Sequence, residues 1–345
     1  MNIKLLKEIT ETPGAPGREQ RIREIVQREL KNAADEILTD NMGNMTVVKK
    51  GRKDKKVMVA AHMDEIAFIV THIDDRGFIR FHTLGGFDPK TLTSQRVWIH
   101  GKKDIPGVIG CKPLHIMSAE ERTKMVPATD YFVDAGMSKK EVEKIVQVGD
   151  TITRDRDLIE IGDCVSCKSL DNRISVYILI EVMKTLKTVP YDVYGVFTVQ
   201  EEVGIRGASV AALQIQPDFG FGLDTTIAFD VPGSQAHESV TRLGDGAGIK
   251  VMDASTICDY RMVEFMKKTA DKNKIKWQSE ILPAGGTDTA GIQRMTAGGA
   301  IAGAVSIPTR HIHQTIEMVN KKDVDQAVNL LKHCIQDLDK HKWNF

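Results

Sequence analysis

Cysteine is scarce in this sequence. The 345 residues include 5 cysteines, an odd and sparse set that argues against a disulfide-stabilised scaffold. Cys164 and Cys167 have the C-x-x-C spacing. A structural zinc site needs a second Cys/His pair, and a redox motif needs a thioredoxin-like context. The sequence shows neither, so we expect two ordinary thiols at these positions.

An excess of either charge is also missing. Lys+Arg and Asp+Glu each total 47, so the formal net charge is zero. Proteins that bind nucleic acids or anionic membranes commonly carry basic patches. The balanced composition therefore gives no electrostatic reason to expect either partner.

Long apolar runs are absent as well. No segment has the length and apolar character that a membrane span requires. Residues 1–8 lack the apolar core of a signal peptide and have the pattern of an amphipathic helix. We therefore expect a cytoplasmic protein. At 345 residues, the chain favours one large domain with a smaller second one.

Four apolar segments end abruptly at polar residues. Near-continuous apolar runs are typical of buried parallel strands, and ligands of open α/β sheets bind just outside the carboxyl ends of such strands. We expect strands that end near residues 61, 199, 223 and 307. The polar residues that follow them are His62, Asp64, Glu201, Glu202, Asp224, His311 and His313.

Asp171 precedes another apolar segment, residues 174–183, which is predicted to be a buried helix. Its carboxylate either caps that helix or points into a cleft, and the residue alone leaves both roles open. The other polar residues are similarly ambiguous. Adjacent glutamates are often a solvated turn, and a buried histidine is often only hydrogen-bonded.

Taken together, two histidines and three carboxylates suit two zinc-like ions that share a bridging carboxylate. Two ions about 3.5–4 Å apart can activate a water molecule and polarise a carbonyl group. With a further carboxylate as general base, this chemistry suits the hydrolysis of an amide.

Residues 69–163 have a different pattern of predicted secondary structure. Short β-like segments alternate there with Gly, Pro and Asp turns, which indicates a small barrel or sandwich. We predict the α/β fold class, with a mixed-sheet α/β/α domain and an inserted small β-barrel-like domain. The first domain would comprise residues 1–68 and 164–345, with a helix over residues 17–37.

Several motifs occur in the order that is typical of one known family. They are His-x-Asp at 62–64, Leu-Asp-Asn-Arg at 170–173, Glu-Glu-Val-Gly-Ile-Arg-Gly-Ala at 201–208, Asp224, Gly-Gly-Thr-Asp at 285–288 and Thr-Arg-x-x-His at 309–313. This set resembles the M42 family of dinuclear metalloaminopeptidases over nearly the whole chain. That family includes the tetrahedral (TET) aminopeptidases, glutamyl aminopeptidases and proteins labelled endoglucanase M.

The resemblance implies two divalent metal ions per subunit, zinc or cobalt, and short peptides as substrates. It implies that His62 and Asp224 bind one ion, that Glu202 and His313 bind the other, and that Asp171 bridges them. A metallopeptidase with this fold would remove residues from the N-terminus of a peptide.

The resemblance also assigns roles beside the ions. Glu201 would be the general base, and Asp64 would orient His62. Within residues 311–313 the family pattern selects His313 as the ligand, which leaves His311 near the site or on the surface. The inserted domain would serve dimerisation and assembly of a homo-oligomer, a dodecamer built from dimers.

Two positions depart from the family pattern. Ala61 stands where Gly is common before the histidine, and Thr289 stands where Ala is common after Gly-Gly-Thr-Asp. Both flank the predicted site, so they bear on the shape of its pocket rather than on the ligands.

The sequence leaves three alternative functions open. A related co-catalytic metal hydrolase, such as a carboxypeptidase or deacylase, would use a similar set of ligands. An endoglucanase would need two opposed carboxyl groups and no metal. A binding or scaffold protein would retain the fold without catalysis.

Overall fold

The computed structural model describes residues 1–344. None of the helices in this range has the length and apolar surface needed to cross a bilayer. The helices are α1 Ile3–Glu11, α2 Gln20–Leu30, α3 Lys139–Val142, α4 Leu170–Thr185, α5 Arg206–Ile215, α6 Tyr260–Lys272, α7 Asp288–Arg294 and α8 Lys321–Asp337.

The strands form two sheets. In chain order they are β1 Glu36–Thr39, β2 Met45–Lys49, β3 Lys53–His62, β4 Ala67–Ile73, β5 Ile79–Leu84, β6 Arg96–His100, β7 Asp104–Gly110, β8 Phe132–Asp134, β9 Thr151–Arg154, β10 Ile159–Ile161, β11 Cys164–Cys167, β12 Tyr191–Thr198, β13 Phe219–Ile227, β14 Ala247–Met252, β15 Trp277–Ile281, β16 Ile301–Arg310 and β17 Glu317–Asn320.

The larger sheet has 11 strands and a parallel centre. Its order is β1-β2-β12-β3-β13-β16-β17-β11-β10, and β14 joins β16 and β15 beside this path. Strands β12, β3, β13 and β16 are parallel neighbours. Thr198, the last residue of β12, lies opposite His62, the last residue of β3. These two strands therefore end at the same level.

Helices cover both faces of this sheet. Alternate residues of β3 point to opposite faces, as in any strand. Val57, Val59 and Ala61 join a core cluster with residues of α1, α2, α4, α6 and α8. Met58 and Ala60 join a second cluster with residues of α5 and α7. The predicted α/β/α architecture is confirmed.

The smaller sheet is a closed barrel in the order β4-β5-β8-β7-β6-β9. Its strands are antiparallel and enclose a core of their own. The chain enters the barrel at Ala67, five residues after His62, and the last barrel strand ends at Arg154. The predicted barrel is confirmed, and both of its connections lie close to the end of β3.

The helix predicted over residues 17–37 is too long. Helix α2 ends at Leu30, and Glu36–Thr39 form β1, which pairs antiparallel with β2. Leu30 is the last fully buried apolar residue on the helix face. Beyond it the backbone hydrogen bonds to β2 compete with helical ones, and this tertiary pairing is not visible in the local pattern.

Candidate metal centre

Adjacent parallel strands place three of the predicted residues at one edge of the sheet. His62 ends β3, Glu202 lies four residues after the end of β12, and Asp224 lies within β13. Because the carboxyl ends of parallel strands share an edge, these side chains converge there. All three residues are buried or half-buried.

Asp171 and His313 complete the group from outside the parallel strands. Asp171 lies at the start of α4, where the backbone of Asp171 and Asn172 is not helical. The Asn172 side-chain amide donates to the carbonyl of Leu223 at 2.8 Å, which ties this segment to β13. His313 lies in the turn between β16 and β17, with a left-handed backbone at φ 64°.

The converging side chains form two groups with metal-ligand chemistry. The His62 cluster consists of His62, Asp171 and Asp224, and the His313 cluster consists of Asp171, Glu202 and His313. Within each cluster, the possible ligand atoms lie within 4.8 Å of one another. Imidazole and carboxylate groups at such spacing suit zinc and similar divalent ions.

Asp171 belongs to both clusters through different oxygens. Its Oδ1 lies 3.4 Å from His62 Nε2, and its Oδ2 lies 3.4 Å from His313 Nε2. Asp224 Oδ1 is 3.8 Å from His62 Nε2, and Glu202 Oε2 is 3.4 Å from His313 Nε2. One carboxylate thus presents an oxygen to each side.

The residues present fit divalent cations on chemical grounds. Asp171, Asp224, Glu201 and Glu202 are brought together with two imidazoles, and burying several carboxylates together is costly unless cations compensate them. Glu202 Oε1 is buried and has no hydrogen-bond partner within residues 1–344. Both features are expected of a ligand set for metal ions.

The pKa values of these groups show how strongly they interact. Burial lowers the pKa of His313, but Glu202 and Asp171 outweigh it and raise that pKa to about 11. Burial raises the pKa of Asp171, yet hydrogen bonds from His313 and His62 bring it below its ordinary value. Metal ions and protons compete for such imidazole nitrogens, so metal affinity should depend on pH.

Glu201 lies beside the clusters and belongs to neither. Its Oε2 is 3.7 Å from His62 Nε2. Burial raises the pKa of Glu201 well above its ordinary value, and the neighbouring Asp224 and Glu202 act in the same direction. A carboxylate with a raised pKa accepts a proton more readily than an ordinary one, which suits a general base.

Asp64 connects the end of β3 with the glutamate pair. Its two carboxylate oxygens accept the amide N–H groups of Glu201 at 3.0 Å and Glu202 at 3.1 Å. His62 Nδ1 lies 3.4 Å from Asp64 Oδ1 and 3.1 Å from the Asp64 carbonyl. Asp64 is fully buried, so these contacts hold the histidine and both glutamates in place.

The clusters open into a cleft of about 540 Å³. Its lining includes Lys250 and Asp253, which form a buried ion pair at 3.0 Å, and Thr287, which donates to Asp253. Lys250 and Asp253 were not predicted from the sequence, because neither belongs to a recognised motif or to the polar residues that follow the four apolar segments.

Two further carboxylates near the clusters, Asp288 and Glu317, were assigned no role from the sequence. Asp288, in the Gly-Gly-Thr-Asp motif, accepts a hydrogen bond from Thr198 at the end of β12. Glu317 accepts the amide N–H groups of Asp171 and His313. Nothing in the local sequence distinguishes Glu317 from a solvated glutamate at the start of a strand.

The structure separates His311 from His313. His311 is exposed and belongs to neither cluster, whereas the His313 side chain is 34% exposed and faces Asp171 and Glu202. The sequence-predicted residues His62, Asp64, Asp171, Glu201, Glu202, Asp224 and His313 all meet at this edge of the sheet. Cys164 and Cys167 are free thiols at the two ends of β11.

Comparison with known proteins gives a consistent family match. The model of the M42 glutamyl aminopeptidase family matches residues 43–330. A protein of Acetivibrio thermocellus is 41% identical over 332 residues, which cover 96% of this chain and 97% of that protein.

Solved structures match over the same extent. The TET aminopeptidase of a marine sediment Thaumarchaeota archaeon is 36% identical, with a TM-score of 0.95 over 97% of this chain and 96% of that one. The Pyrococcus horikoshii TET1 peptidase, which can assemble into a tetrahedron or a large octahedral shell, is 32% identical, with a TM-score of 0.87 over 96% and 98% of the two chains.

Proposed function

This chain belongs to the M42 peptidase family, and from that membership we propose that it is a metal-dependent aminopeptidase that removes N-terminal residues from short peptides. The observation that carries the proposal is the pair of clusters that share Asp171. A peptide hydrolase of this kind needs a shared metal centre with a proton-transfer group beside it, and Glu201 stands in that position.

We propose that the centre holds two divalent ions, zinc or cobalt. His62 and Asp224 would hold one ion, Glu202 and His313 would hold the other, and Asp171 would serve both. When bound there, two such ions supply an acidified water molecule and a polarised carbonyl group.

The protein groups supply proton transfer and orientation. Glu201 accepts a proton from the attacking water and delivers it to the leaving amine, which the raised pKa of its buried carboxyl group favours. Asp64 holds the His62 ring through Nδ1 and holds the amides of the two glutamates. Orienting contacts of this kind raise the precision of a metal centre.

We also propose the division of the chain and its assembly. Residues 1–68 and 164–345 form the catalytic domain, and residues 69–163 form an inserted domain for dimerisation and assembly into a dodecamer. The assembly of the P. horikoshii TET1 peptidase into a tetrahedron supports this proposal. Light scattering coupled to size-exclusion chromatography measures the mass of the assembly directly, and a monomer at micromolar concentration would contradict the proposed dodecamer.

The cytoplasmic location expected from the sequence stays a prediction that cell fractionation tests.

A panel of aminoacyl-p-nitroanilides tests the activity. We expect hydrolysis of unblocked substrates that is lost after chelation and restored by zinc or cobalt. N-acetylated substrates serve as the control, since hydrolysis of these with equal efficiency would indicate a deacylase or endopeptidase. Release of a C-terminal residue instead would indicate a carboxypeptidase, and cellulose hydrolysis that survives chelation would indicate an endoglucanase.

A further inference from the structure

A single buried carboxylate connects the backbones of two residues in the His313 cluster. Glu317, at the start of β17, is 1% exposed. Its Oε2 accepts the amide N–H of Asp171, and its Oε1 accepts the amide N–H of His313, both at 2.9 Å. Because both oxygens belong to one planar group, Glu317 holds these two amides at a fixed separation.

The barrel supplies a contact on the opposite side of His313. Arg154, the last residue of β9, is buried, and its Nη1 donates to the carbonyl of His313 at 3.0 Å. The guanidinium carbon lies 5.3 Å from the centre of the Phe87 ring. In the same barrel loop, a Cβ added at Gly86 would lie 3.4 Å from His313 Nδ1, so the loop packs closely against the imidazole.

His313 depends on such contacts more than His62 does. Its backbone is left-handed at φ 64°, a conformation that residues other than glycine rarely adopt. Its side chain is 34% exposed, whereas the side chain of His62 is 2% exposed. The backbone of His62 is held in register with Thr198 of β12. His313 lies in a turn, where Glu317 accepts its amide N–H and Arg154 donates to its carbonyl.

The charge of Arg154 also acts on this side of the centre. Glu317, Glu65 and Glu202 are the carboxylates that act on its guanidinium. Its Nε and Nη2 have no hydrogen-bond partner in the part of the chain that the structure describes. Burying an arginine without full pairing is costly for stability alone, which points to a functional use of the residue.

We propose that Glu317 and Arg154 are positioning residues for the ion of the His313 cluster, and that the barrel sets the affinity of this ion through Arg154. The inference rests on the metal centre proposed above. The ion of the His62 cluster shares Asp171 and so depends on Glu317 through that residue alone, because its other two ligands, His62 and Asp224, lie in β3 and β13. The barrel therefore takes part in the metal centre of its own subunit as well as in any assembly.

The test is a metal titration of the chelator-treated protein by calorimetry, with Co²⁺ or Zn²⁺ alone as the probe. We expect Arg154→Met and Glu317→Gln to weaken the ion of the His313 cluster about 10–100-fold, the range for groups that orient metal ligands. The ion of the His62 cluster should bind as in the wild type in Arg154→Met, and Glu317→Gln should weaken it less than the ion of the His313 cluster, because Glu317 reaches it only through the shared Asp171. A His313→Ala variant identifies which binding phase belongs to the His313 cluster. Arg154→Lys should restore part of the loss, because its ammonium can still donate to a carbonyl.

Two variants serve as matched controls. Asp323 also accepts two backbone amides, those of Gly244 at 2.7 Å and Gly246 at 2.8 Å, so Asp323→Asn reproduces the chemical change of Glu317→Gln at a remote site. Arg80 also donates to backbone carbonyls of the barrel and lies over an aromatic ring, so Arg80→Met is the counterpart of Arg154→Met. Both controls should bind both ions with wild-type affinity.

The outcomes separate this inference from the function it rests on. If the wild type binds no metal and cleaves no peptide, the proposed function fails. If the wild type binds two ions and the Arg154 and Glu317 variants bind both with wild-type affinity, the positioning role is overturned. Equal weakening of both ions by Arg154→Met overturns it too. Thermal unfolding shows whether each variant is folded. If Arg154→Met does not fold, the titration of Arg154→Lys decides the outcome.

Discussion

Neighbouring residues in the chain have different surroundings in this centre. Glu201 and Glu202 are adjacent, yet Glu202 faces His313 at 3.4 Å and Glu201 faces His62 at 3.7 Å. The strand ends at Thr198, and Gln200 has a left-handed backbone at φ 55°, which breaks the extended geometry before the pair. Asp64 then binds both following amides. The backbone turn and these two hydrogen bonds direct the two carboxylates toward different imidazoles.

Glu201→Gln should lower kcat about 10²–10⁴-fold, because general base catalysis typically contributes that much. The protein should keep its metal content, since Glu201 lies outside both clusters. Glu202→Gln is the matched change one residue away and should lose metal from the His313 cluster. Steady-state kinetics give the kcat of each variant, and elemental analysis after dialysis gives its metal content. Loss of metal from Glu201→Gln with full retention by Glu202→Gln would exchange the two roles.

The thiols should differ sharply in reactivity. Burial raises the pKa of Cys167 to about 11 and that of Cys258 to about 12, and it also raises the pKa of Cys164 and Cys334. Thiolates are the reactive form, so these groups should react slowly with a disulfide reagent at pH 8. Cys111 should react first, with Cys111→Ser as its control, and unfolding should expose all five thiols. Fast reaction of Cys167 in the native protein would contradict this prediction.

At the scale of the elements, α7 packs closely against β13, the strand that carries Asp224. Gly222 in β13 has no side chain, and a Cβ there would overlap Thr289 Oγ1 and lie 3.1 Å from Thr289 Cβ in α7. Asp224 lies two residues further along β13. The departure from the family pattern at Thr289 therefore fills the space beside a strand that leads to a proposed ligand.

Gly222→Ala should destabilise the protein by about 1–3 kcal/mol, the usual cost of inserting a methyl group into a packed core. Thr289→Ala removes the opposing hydroxyl and methyl groups, so the double variant should recover much of that loss. The free energies of unfolding in urea give the coupling between the two sites. Gly195→Ala in β12 is the control, since its nearest neighbour is the flexible end of Met183, with Sδ at 3.2 Å. Additive effects of the two changes would contradict the prediction.

At the scale of the whole molecule, polar contacts join the barrel to the rest of the chain. Arg21 of α2 donates to both oxygens of Asp104 in β7, at 2.5 and 2.9 Å. His100 lies 2.9 Å from Asp104 on one side and 2.9 Å from Thr153 on the other. Together with the contact between Arg154 and His313, this network fixes the barrel relative to the edge of the sheet that bears the candidate metal centre.

The Arg21–Asp104 pair should contribute modestly to stability and should depend on pH. Hydrogen bonds from Arg21 lower the pKa of Asp104 to about 2, below its ordinary value of 3.8. A lowered folded-state pKa means that the contribution is fully present above about pH 4 and is lost as the pH falls through about 2. Because both groups are partly exposed, we expect only about 0.2–1 kcal/mol from the pair.

Urea unfolding of the wild type, Asp104→Asn, Arg21→Gln and the double variant measures this contribution as a coupling energy. The coupling should shrink in high salt, which screens exposed charges. The Lys124–Glu120 pair, whose residues lie on the surface of the same barrel region, is a control with no contact between domains. The coupling energy should stay constant from pH 7 to about pH 4 and decline at lower pH, and a coupling energy that grows on acidification would contradict the lowered pKa of Asp104.

Much of this molecule could be predicted from sequence alone. Apolar runs that end at polar residues located β3, β12, β13 and β16, because burial on both faces leaves a local signature. The alternation of short β-like segments with turns after residue 68 predicted the barrel. The order of the motifs predicted the M42 family and the set of residues that meet at the sheet edge, including the choice of His313 over His311, which rested on the family pattern rather than on spacing.

Other features were decided only by the tertiary structure. The early end of α2 depends on pairing between β1 and β2, which competes with a helical pattern. Glu317 and Arg154 bind backbone groups of residues distant in sequence, with Arg154 and His313 separated by 159 positions. Burial and periodicity are local properties of a sequence, but a hydrogen bond to a backbone amide or carbonyl carries no side-chain signature in its partner. Such contacts exist only once the chain has folded and the barrel lies against the sheet.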